Sequence, residues 1–521
     1  MKDVNGVRYD VVVVGGGHNG LVSAAYLAKA GLSVLVLERL GHVGGAAVSA
    51  TPFDGQPARI SRYSSLVSML PDQINSDLGL GLRFASRASA SYTPVLRNGD
   101  PGGLLVERPE AKQTRMSFHD LTGGHREYDA WCSFYADVGA LARAVEPTLL
   151  QPLPIERDIA SQFDPATWRQ LVATPLGVTI EQRFSDDTVR GVVATDALVG
   201  TFASMHDESL IQNRSFLYRM LGTGEWRVPV GGMGAVTDAL ARAAAQAGAE
   251  IRTNAGVSRI RPGEDRNEVT FDGPSGQTTV EARFVLANVA PWVLHILLGA
   301  PDDPAGKPQG AQLTINFLLD RLPRLKSGID PSVAFGGTLH VAVEYSSLEA
   351  AYAEASADRL PSTMPGEVVC HTLTDPSILG DAAARHTLTF HGLHTPPGVF
   401  EADPARLKAE AVSRAVAAID KHLDDPLVSC LARDASGVPC LEARIPQDIE
   451  AELAMPGGHM YHGHLEWPWA NNRARLDTPD QAWGVPTGIP AVFLCGAGAR
   501  RGGGISGIGG HNAAMAVLDA R

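Results

Sequence analysis

The chain has 521 residues, 44% of them hydrophobic and 19% charged, with a formal net charge of −13. That length exceeds what one hydrophobic core serves, so two or more lobes are expected. The acidic balance excludes nucleic-acid binding and simple electrostatic docking on anionic lipid, and the ordinary apolar fraction excludes a disordered or fibrous chain.

The N-terminal residues Met1 to Arg8 carry no apolar signal core, and no run of about 18 apolar residues follows anywhere. A cytoplasmic protein without a transmembrane segment is therefore expected, with peripheral membrane contact left open. The five cysteines, Cys132, Cys370, Cys430, Cys440 and Cys495, form no Cys-x-x-Cys pair. A disulfide framework, a dithiol redox centre and a metal site are not expected.

Tyr9-Asp-Val-Val-Val-Val14 reads as a buried parallel strand, followed by a glycine turn and a helix from Leu21 to Ala30 that Gly31 stops. The run Ser33 to Leu37 is a second buried strand ending at Glu38, which completes a βαβ unit. From Ser61 to Trp226 the sequence turns to mixed apolar and polar stretches, with a helix over Glu127 to Val145. A second block holds a helix from Ala235 to Ala247, a strand from Glu250 to Ile260, a hairpin over Glu268 to Val280 and a strand from Arg283 to Asn288. Beyond residue 305 the expected strands are Gln312 to Leu318, Thr338 to Val343, Glu367 to Leu373 and Thr387 to Gly392. A helix capped by Asp403, with Pro404 in its first turn, carries Leu407, Ala411, Ala415, Ile419 and Leu423 on one face. The chain closes with a strand from Ala491 to Leu494, a glycine-rich loop and a helix from about Gly509.

Gly15-Gly16-Gly17-His18-Asn19-Gly20 satisfies G-x-G-x-x-G between a strand and a helix. Such glycines allow a tight turn, backbone approach to a pyrophosphate, and close packing of helix on strand, while the helix N-terminus offers free N–H groups to phosphate. Glu38, eighteen residues after Gly20, stands where a carboxylate accepts from ribose hydroxyls. Three features select FAD over NAD. The motif lies at the beginning of the chain; Glu38-Arg39 is followed by a second close-backbone loop, Gly44-Gly45-Ala46; and a third glycine loop, Gly496-Ala497-Gly498 with Gly502-Gly-Gly504-Ile505-Ser506-Gly507, follows the last strand. A further candidate, Gly231-Gly-Met-Gly234, follows a proline-interrupted segment and has Thr237 where the last glycine belongs. It reads as a tight approach to a helix packed on the first sheet.

These motifs, together with Pro229-Val-Gly-Gly-Met-Gly234 and Gly457-Gly-His-Met-Tyr-His-Gly463, resemble the carotenoid (phytoene) desaturase-like flavoproteins. Within them the chain is most similar to the branch of pyridine nucleotide-disulfide oxidoreductase domain-containing protein 2. The resemblance implies an α/β fold with a glutathione-reductase-like Rossmann FAD-binding domain, and a discontinuous α+β substrate domain. The expected division is 1–70, 225–300 and 485–521 for FAD, and 71–224 and 301–484 for substrate. It also implies an FAD-dependent oxidoreductase of the dehydrogenase or desaturase kind, acting on an apolar, lipid or isoprenoid substrate, and it places the Val257 backbone against the adenine. The family's acid after the C-terminal strand is absent, since Gly496-Ala497 stand there, so ribityl contacts must come from backbone.

Catalytic residues are weakly signalled, because hydride transfer to a flavin needs position more than a protein acid or base. His462, in His459-Met-Tyr-His-Gly-His464, is the candidate to face flavin or substrate; on a strand it would share a face with His464 and not with His459. Arg59, Arg62 and Tyr63 follow the second glycine loop and are candidates to line the substrate cavity, with a solvated or packing role as the alternative. Trp467, in Trp-Pro-Trp469, would stack on a flat ligand or pack in the core. The electrons would pass to oxygen or a quinone. A redox-neutral flavin isomerase and a flavin-holding scaffold are the competing functions, and the oligomeric state is not legible.

Overall fold

In the computed structural model the first strand, Arg8–Val14, is central to a sheet and buried over Val11–Val14, as its β-branched run requires. The structure describes residues 7–222, 224–274, 276–382 and 384–521. The first six residues, where no leader is expected, and Ser275 in the expected hairpin turn lie outside the described residues. Val34–Leu37 and then Glu250–Arg252 add parallel strands on one side. On the other side lies Gly276–Ala287, a strand with two functions. Its N-terminal half pairs antiparallel with Asn267–Gly273, and its C-terminal half runs parallel to Arg8–Val14 and Val492–Leu494. The expected hairpin arm and the expected strand Arg283–Asn288 are thus one element.

The expected strand Glu250–Ile260 is broken instead. Asn254 takes a left-handed φ of 52°, which an asparagine tolerates, and Asn254 and Ala255 donate to the carbonyls of Leu40 and Glu38. The break sends Glu250–Arg252 to the parallel edge and Gly256–Arg261 to the antiparallel one. Helices His18–Lys29, Met233–Gln246 and Ile508–Asp519 cover this sheet through Leu21, Ala24, Val236, Leu240, Ala513 and Val517.

The second sheet has seven strands, and one of its hairpins, Ser89–Arg97 with Asp100–Glu107, was not expected. It turns on Asn98-Gly99, both at positive φ, a two-residue turn that sequence chemistry favours. The remaining strands are Thr338–Val341, Gly366–Val369, His386–Gly392, Leu313–Leu319 and Leu441–Arg444. Two run shorter than expected: Ala342 at positive φ ends the first, and a turn over His371–Leu373 follows the second.

Register gives this sheet two unlike faces. Ile315, Phe390, Val368 and Leu339 stand opposite one another and pack under helix Pro404–Asp420 through Ala411, Ala415 and Ile419. One residue on, Thr314, His391, Glu367 and His340 form a polar row on the other face. Helices Arg126–Val145, Asp187–Leu198 and Ile211–Met220 build a third core through Phe134, Val193 and Phe216. Among the described residues no helix is long and apolar enough to cross a membrane.

Candidate functional site

One deep cleft opens beyond the C-terminal ends of the parallel strands, where Val14, Leu37 and Asn288 reach it. Ligands of open α/β sheets collect at such strand ends. The glycine loop after the first strand forms its floor. Gly15 has φ of 99°, and a Cβ there would stand 2.8 Å from the Asn288 carbonyl oxygen. A Cβ on Gly20 would stand 2.4 Å from the Gly15 carbonyl oxygen, so only glycine lets helix and strand meet.

The helix that follows, His18–Lys29, has no side-chain cap at its N-terminus, and Gly17, His18 and Asn19 line the cleft. Its first-turn N–H groups point where an anion would lie. The helix at Met233–Gln246 differs. Ser61 Oγ accepts from the Met233 N–H at 3.0 Å, Ser49 Oγ from Gly234 at 3.0 Å and Asp375 from Gly231 at 2.7 Å. Those amides are taken, which explains why Gly231-Gly-Met-Gly234 only brings a helix onto the sheet.

Glu38 is 8% exposed and reaches the cleft with both carboxylate oxygens engaged. Oε2 accepts from the Gly16 N–H and Oε1 from the Leu40 N–H, each at 2.8 Å. The carboxylate is thereby oriented, with lone pairs left for a hydroxyl donor. Arg39, Gly44, Gly45, Ala46 and Val257 line the same end.

The C-terminal loop closes the other side through Ala497, Gly504 and Ile505, while Gly496 and Ser506 are buried behind it. Two residues that sequence reasoning missed hold the loops. Asn288 Nδ2 donates to the Gly15 carbonyl at 2.9 Å. Arg501, wholly buried, donates to the carbonyls of Thr148 at 2.6 Å, Gln151 at 2.8 Å and Trp483 at 3.1 Å, which fixes the loop that carries Gly504. His18 Nε2 lies 3.2 Å from the Gly504 carbonyl and joins the two glycine loops directly.

His462 does line the cleft, but not from a strand. The segment Pro456–Gly458 is a helical turn, and His462 takes φ of 61° after its N–H donates to the His459 carbonyl at 2.9 Å. His464 turns away and packs on His459, ring centroids 5.8 Å apart, so the expected sharing of a face with His462 does not occur. Burial, then the nearby His18, lowers the His462 pKa to about 4, and burial lowers that of His18 to about 4. Both imidazoles are neutral near pH 7, and His462 Nδ1 is buried without a hydrogen-bond partner among the described residues.

The other cavity candidates divide. Tyr63 lines the cleft and donates to the Glu452 carboxylate. Arg62 does not reach the cleft; it forms a two-point ion pair with Glu442, at 2.7 and 3.2 Å, and Arg444 shares that carboxylate. Arg59 is exposed on the rim of a neighbouring surface pocket. Trp467 stacks on Trp469, centroids 4.9 Å apart and planes 11° apart, away from the cleft lining. These three are corrected as cavity residues: an available carboxylate claimed Arg62, an outward-facing loop position Arg59, and an aromatic neighbour Trp467.

The deep end of the cleft was not expected. The polar row of the second sheet reaches it through Thr314, His391 and Glu367. Arg219 Nη2 donates to both oxygens of Glu367 at 3.0 and 2.9 Å, its Nε donates to Asp196 at 2.9 Å, and the guanidinium covers the Trp226 ring at 4.2 Å. Burial opposes the Arg219 charge, yet Glu367 and Asp196 outweigh it and hold its pKa above the ordinary value. The signal was present in Gln312-Leu-Thr-Ile-Asn-Phe317 and Thr387-Leu-Thr-Phe-His391, whose strict alternation marks one polar face.

Comparison with known proteins agrees with this architecture. Residues 13–68 match the NAD(P)-binding Rossmann-like domain, and residues 117–317 match the flavin containing amine oxidoreductase family. The fold and site define an FAD-dependent oxidoreductase, with a Rossmann-like domain and a separate sheet domain. The chain belongs to the family of the Mycobacterium tuberculosis "Uncharacterized protein Rv0897c", with which it is 46% identical over 98% of its own length and 97% of that protein's. It is 27% identical to mouse pyridine nucleotide-disulfide oxidoreductase domain-containing protein 2, over 98% of this chain and 93% of that one. Among solved structures, cyclohexylamine oxidase from Brevibacterium oxydans shares the fold, with a TM-score of 0.56 at 15% identity over 98% and 99% of the two chains.

Proposed function

We propose that the chain is a dehydrogenase that holds FAD along the cleft and removes a hydride equivalent from a largely apolar substrate, passing the electrons to oxygen or a quinone. The observation that carries this reading is the uncapped N-terminus of helix His18–Lys29, which opens on the cleft while the comparable helix at Met233 is filled by side chains. Gly15, Gly16, Gly17, His18, Asn19 and Gly20 would hold the pyrophosphate, and Glu38 with Arg39 the adenosine ribose. Gly44, Gly45 and Ala46 would support the diphosphate, the Val257 backbone the adenine, and Gly496, Ala497, Gly504, Ile505 and Ser506 the flavin end.

The flavin, when bound, supplies the redox chemistry. The chain's own part is to position the donor carbon, exclude water and offer a neutral imidazole at His462 to orient substrate. In this reading 1–70, 225–300 and 485–521 form the cofactor domain, and 71–224 with 301–484 the substrate domain. Widely spaced free cysteines suit a reducing cytoplasm.

The test is purification without added cofactor, identification of the released flavin by chromatography, and anaerobic titration of the bound flavin with lipid and terpenoid substrates. FAD in stoichiometric amount, bleached by one of them, is expected. His462→Ala should retain FAD and slow that reduction by about 10²- to 10⁴-fold. A protein that carries FMN or no flavin overturns the cofactor assignment. Full-speed reduction by the His462→Ala protein removes His462 from the reaction.

A further inference from the structure

We infer that the deep end of the cleft is a subsite for an uncharged hydroxyl group of the substrate, read by His391 and Gln312. The inference rests on the proposal above that this cleft holds flavin and substrate together.

Gln312, just before strand Leu313–Leu319, and His391, on the neighbouring strand His386–Gly392, both line the cleft. Gln312 Nε2 donates to His391 Nδ1 at 2.6 Å, and lies 3.3 Å from Thr314 Oγ1. An imidazole nitrogen that accepts carries no proton. Burial, then Arg219, lowers the His391 pKa to about 4, so the ring is neutral and its proton sits on Nε2. Neither Nε2 of His391 nor Oε1 of Gln312 has a hydrogen-bond partner among the described residues. The pair therefore presents one donor and one acceptor to the cleft. Turning the amide over and moving the ring proton exchanges the roles, so that the amide NH2 donates and the imidazole Nε2 accepts, and a hydroxyl still meets both kinds of group. A hydroxyl, which donates and accepts at one oxygen, is the group this pair satisfies in full.

Charge argues in the same direction. Among the described residues that line this end, Arg219 carries the positive charge, and its Nε and Nη2 are taken by Asp196 and Glu367. A substrate carboxylate would lose its hydration beside two carboxylates that already hold the guanidinium, and an ammonium, which only donates, would set its N–H groups against the imidazole N–H and leave that donor unpaired. Val199, Val369 and Met460 line the cleft beside the pair and suit an aliphatic body. The substrate class is an aliphatic alcohol, held by its hydroxyl.

The test uses the FAD-loaded full chain and calorimetric titration with octan-1-ol, octanoate and octylamine, three probes of one chain length. Octan-1-ol should bind at least ten times more tightly than the other two. His391→Phe and Gln312→Leu should each weaken octan-1-ol by about 2- to 12-fold, the measure of one neutral hydrogen bond, with FAD content unchanged. His391→Asn, which keeps an amide donor and acceptor, should recover most of the loss. If His391→Phe does not fold, Gln312→Leu carries the same comparison. Octanoate or octylamine binding as tightly as octan-1-ol overturns the subsite, as does the absence of octan-1-ol binding or an affinity unmoved in the variants. A chain that purifies without FAD refutes the cofactor reading instead, and the same titration on that preparation still decides the hydroxyl subsite.

Discussion

The side chain of Asn288 holds the carbonyl of Gly15 at 2.9 Å, tying the first residue beyond one strand to the first residue beyond its parallel neighbour. The glycine loop that follows the first strand is thus fixed from outside its own βαβ unit. Asn288→Ala should leave that carbonyl unpaired and soften the loop. A weakening of FAD binding by about 5- to 10-fold is expected, the worth of a buried neutral hydrogen bond. Fluorescence titration of released and rebound FAD measures it, and an unchanged dissociation constant would show that the loop holds itself.

Gly17 has an ordinary φ of −70°, so a side chain there is compatible with the backbone. Gly17→Val should therefore fold, yet lose FAD, because its Cβ would stand 3.1 Å from Asn288 Nδ2 and its branches would crowd the cleft that both residues line. Gly20→Val should instead fail to fold, since a Cβ at Gly20 meets backbone at 2.4 Å. Circular dichroism and flavin absorbance on both variants separate the two outcomes; a Gly17→Val protein with full FAD occupancy contradicts the phosphate assignment.

Glu38→Ala removes the carboxylate proposed to accept from ribose and also orphans the Gly16 and Leu40 amides that donate to it. FAD affinity should fall by about 10- to 100-fold, matching a charge-assisted bond of roughly 1.5–3 kcal/mol. Glu38→Gln, which keeps an acceptor oxygen, should fall less. Equal losses in the two variants would show that the charge, not the acceptor oxygen that glutamine keeps, sets the affinity.

Arg219 joins Glu367 and Asp196 in a nearly dry place. Removing one partner leaves uncompensated charge, so Arg219→Met should destabilise the fold by about 3–5 kcal/mol. The double variant Arg219→Met/Glu367→Leu should recover part of that loss. Urea unfolding of these two proteins and of the Glu367→Leu single variant gives the coupling. A double variant less stable by the sum of the single losses would show that the pair is not one unit.

Seven histidines, His18, His340, His391, His394, His422, His459 and His462, have pKa values lowered by burial to about 3 or 4. Unfolding restores them to the ordinary value near 6.5, so between about pH 6.5 and 4 the unfolded chain binds more protons than the folded one. Stability is therefore fully present above pH 6.5 and is lost as pH falls through that window. The slope should exceed about 2.7 kcal/mol per pH unit near pH 5, the equivalent of two protons. Urea midpoints at pH 5, 6, 7 and 8 report it; a flat profile below pH 6.5 would mean that these rings reach water in the folded protein.

The sequence alone determined the elements whose signals are local. Val11–Val14, the glycines at 15, 17 and 20, Glu38 and the Asp403-Pro404 helix start are each set by neighbours in the chain, through backbone sterics, apolar period and capping. Asn98-Gly99 was equally legible as a hairpin turn and passed unread. Only the tertiary structure decided the rest. Asn288 and Arg501 act on loops 273 and 353 residues away along the chain, and nothing in their immediate sequence names those partners. Arg62 was diverted from the cleft because Glu442, 380 residues on, satisfies its guanidinium in a nearly buried ion pair. His391 gained its role because strand register set it opposite Thr314 and Glu367, on the face that meets the cleft. Local sterics are short-ranged and can be read in a line, whereas hydrogen bonds and charges are settled by whichever partner the fold brings within about 3 Å.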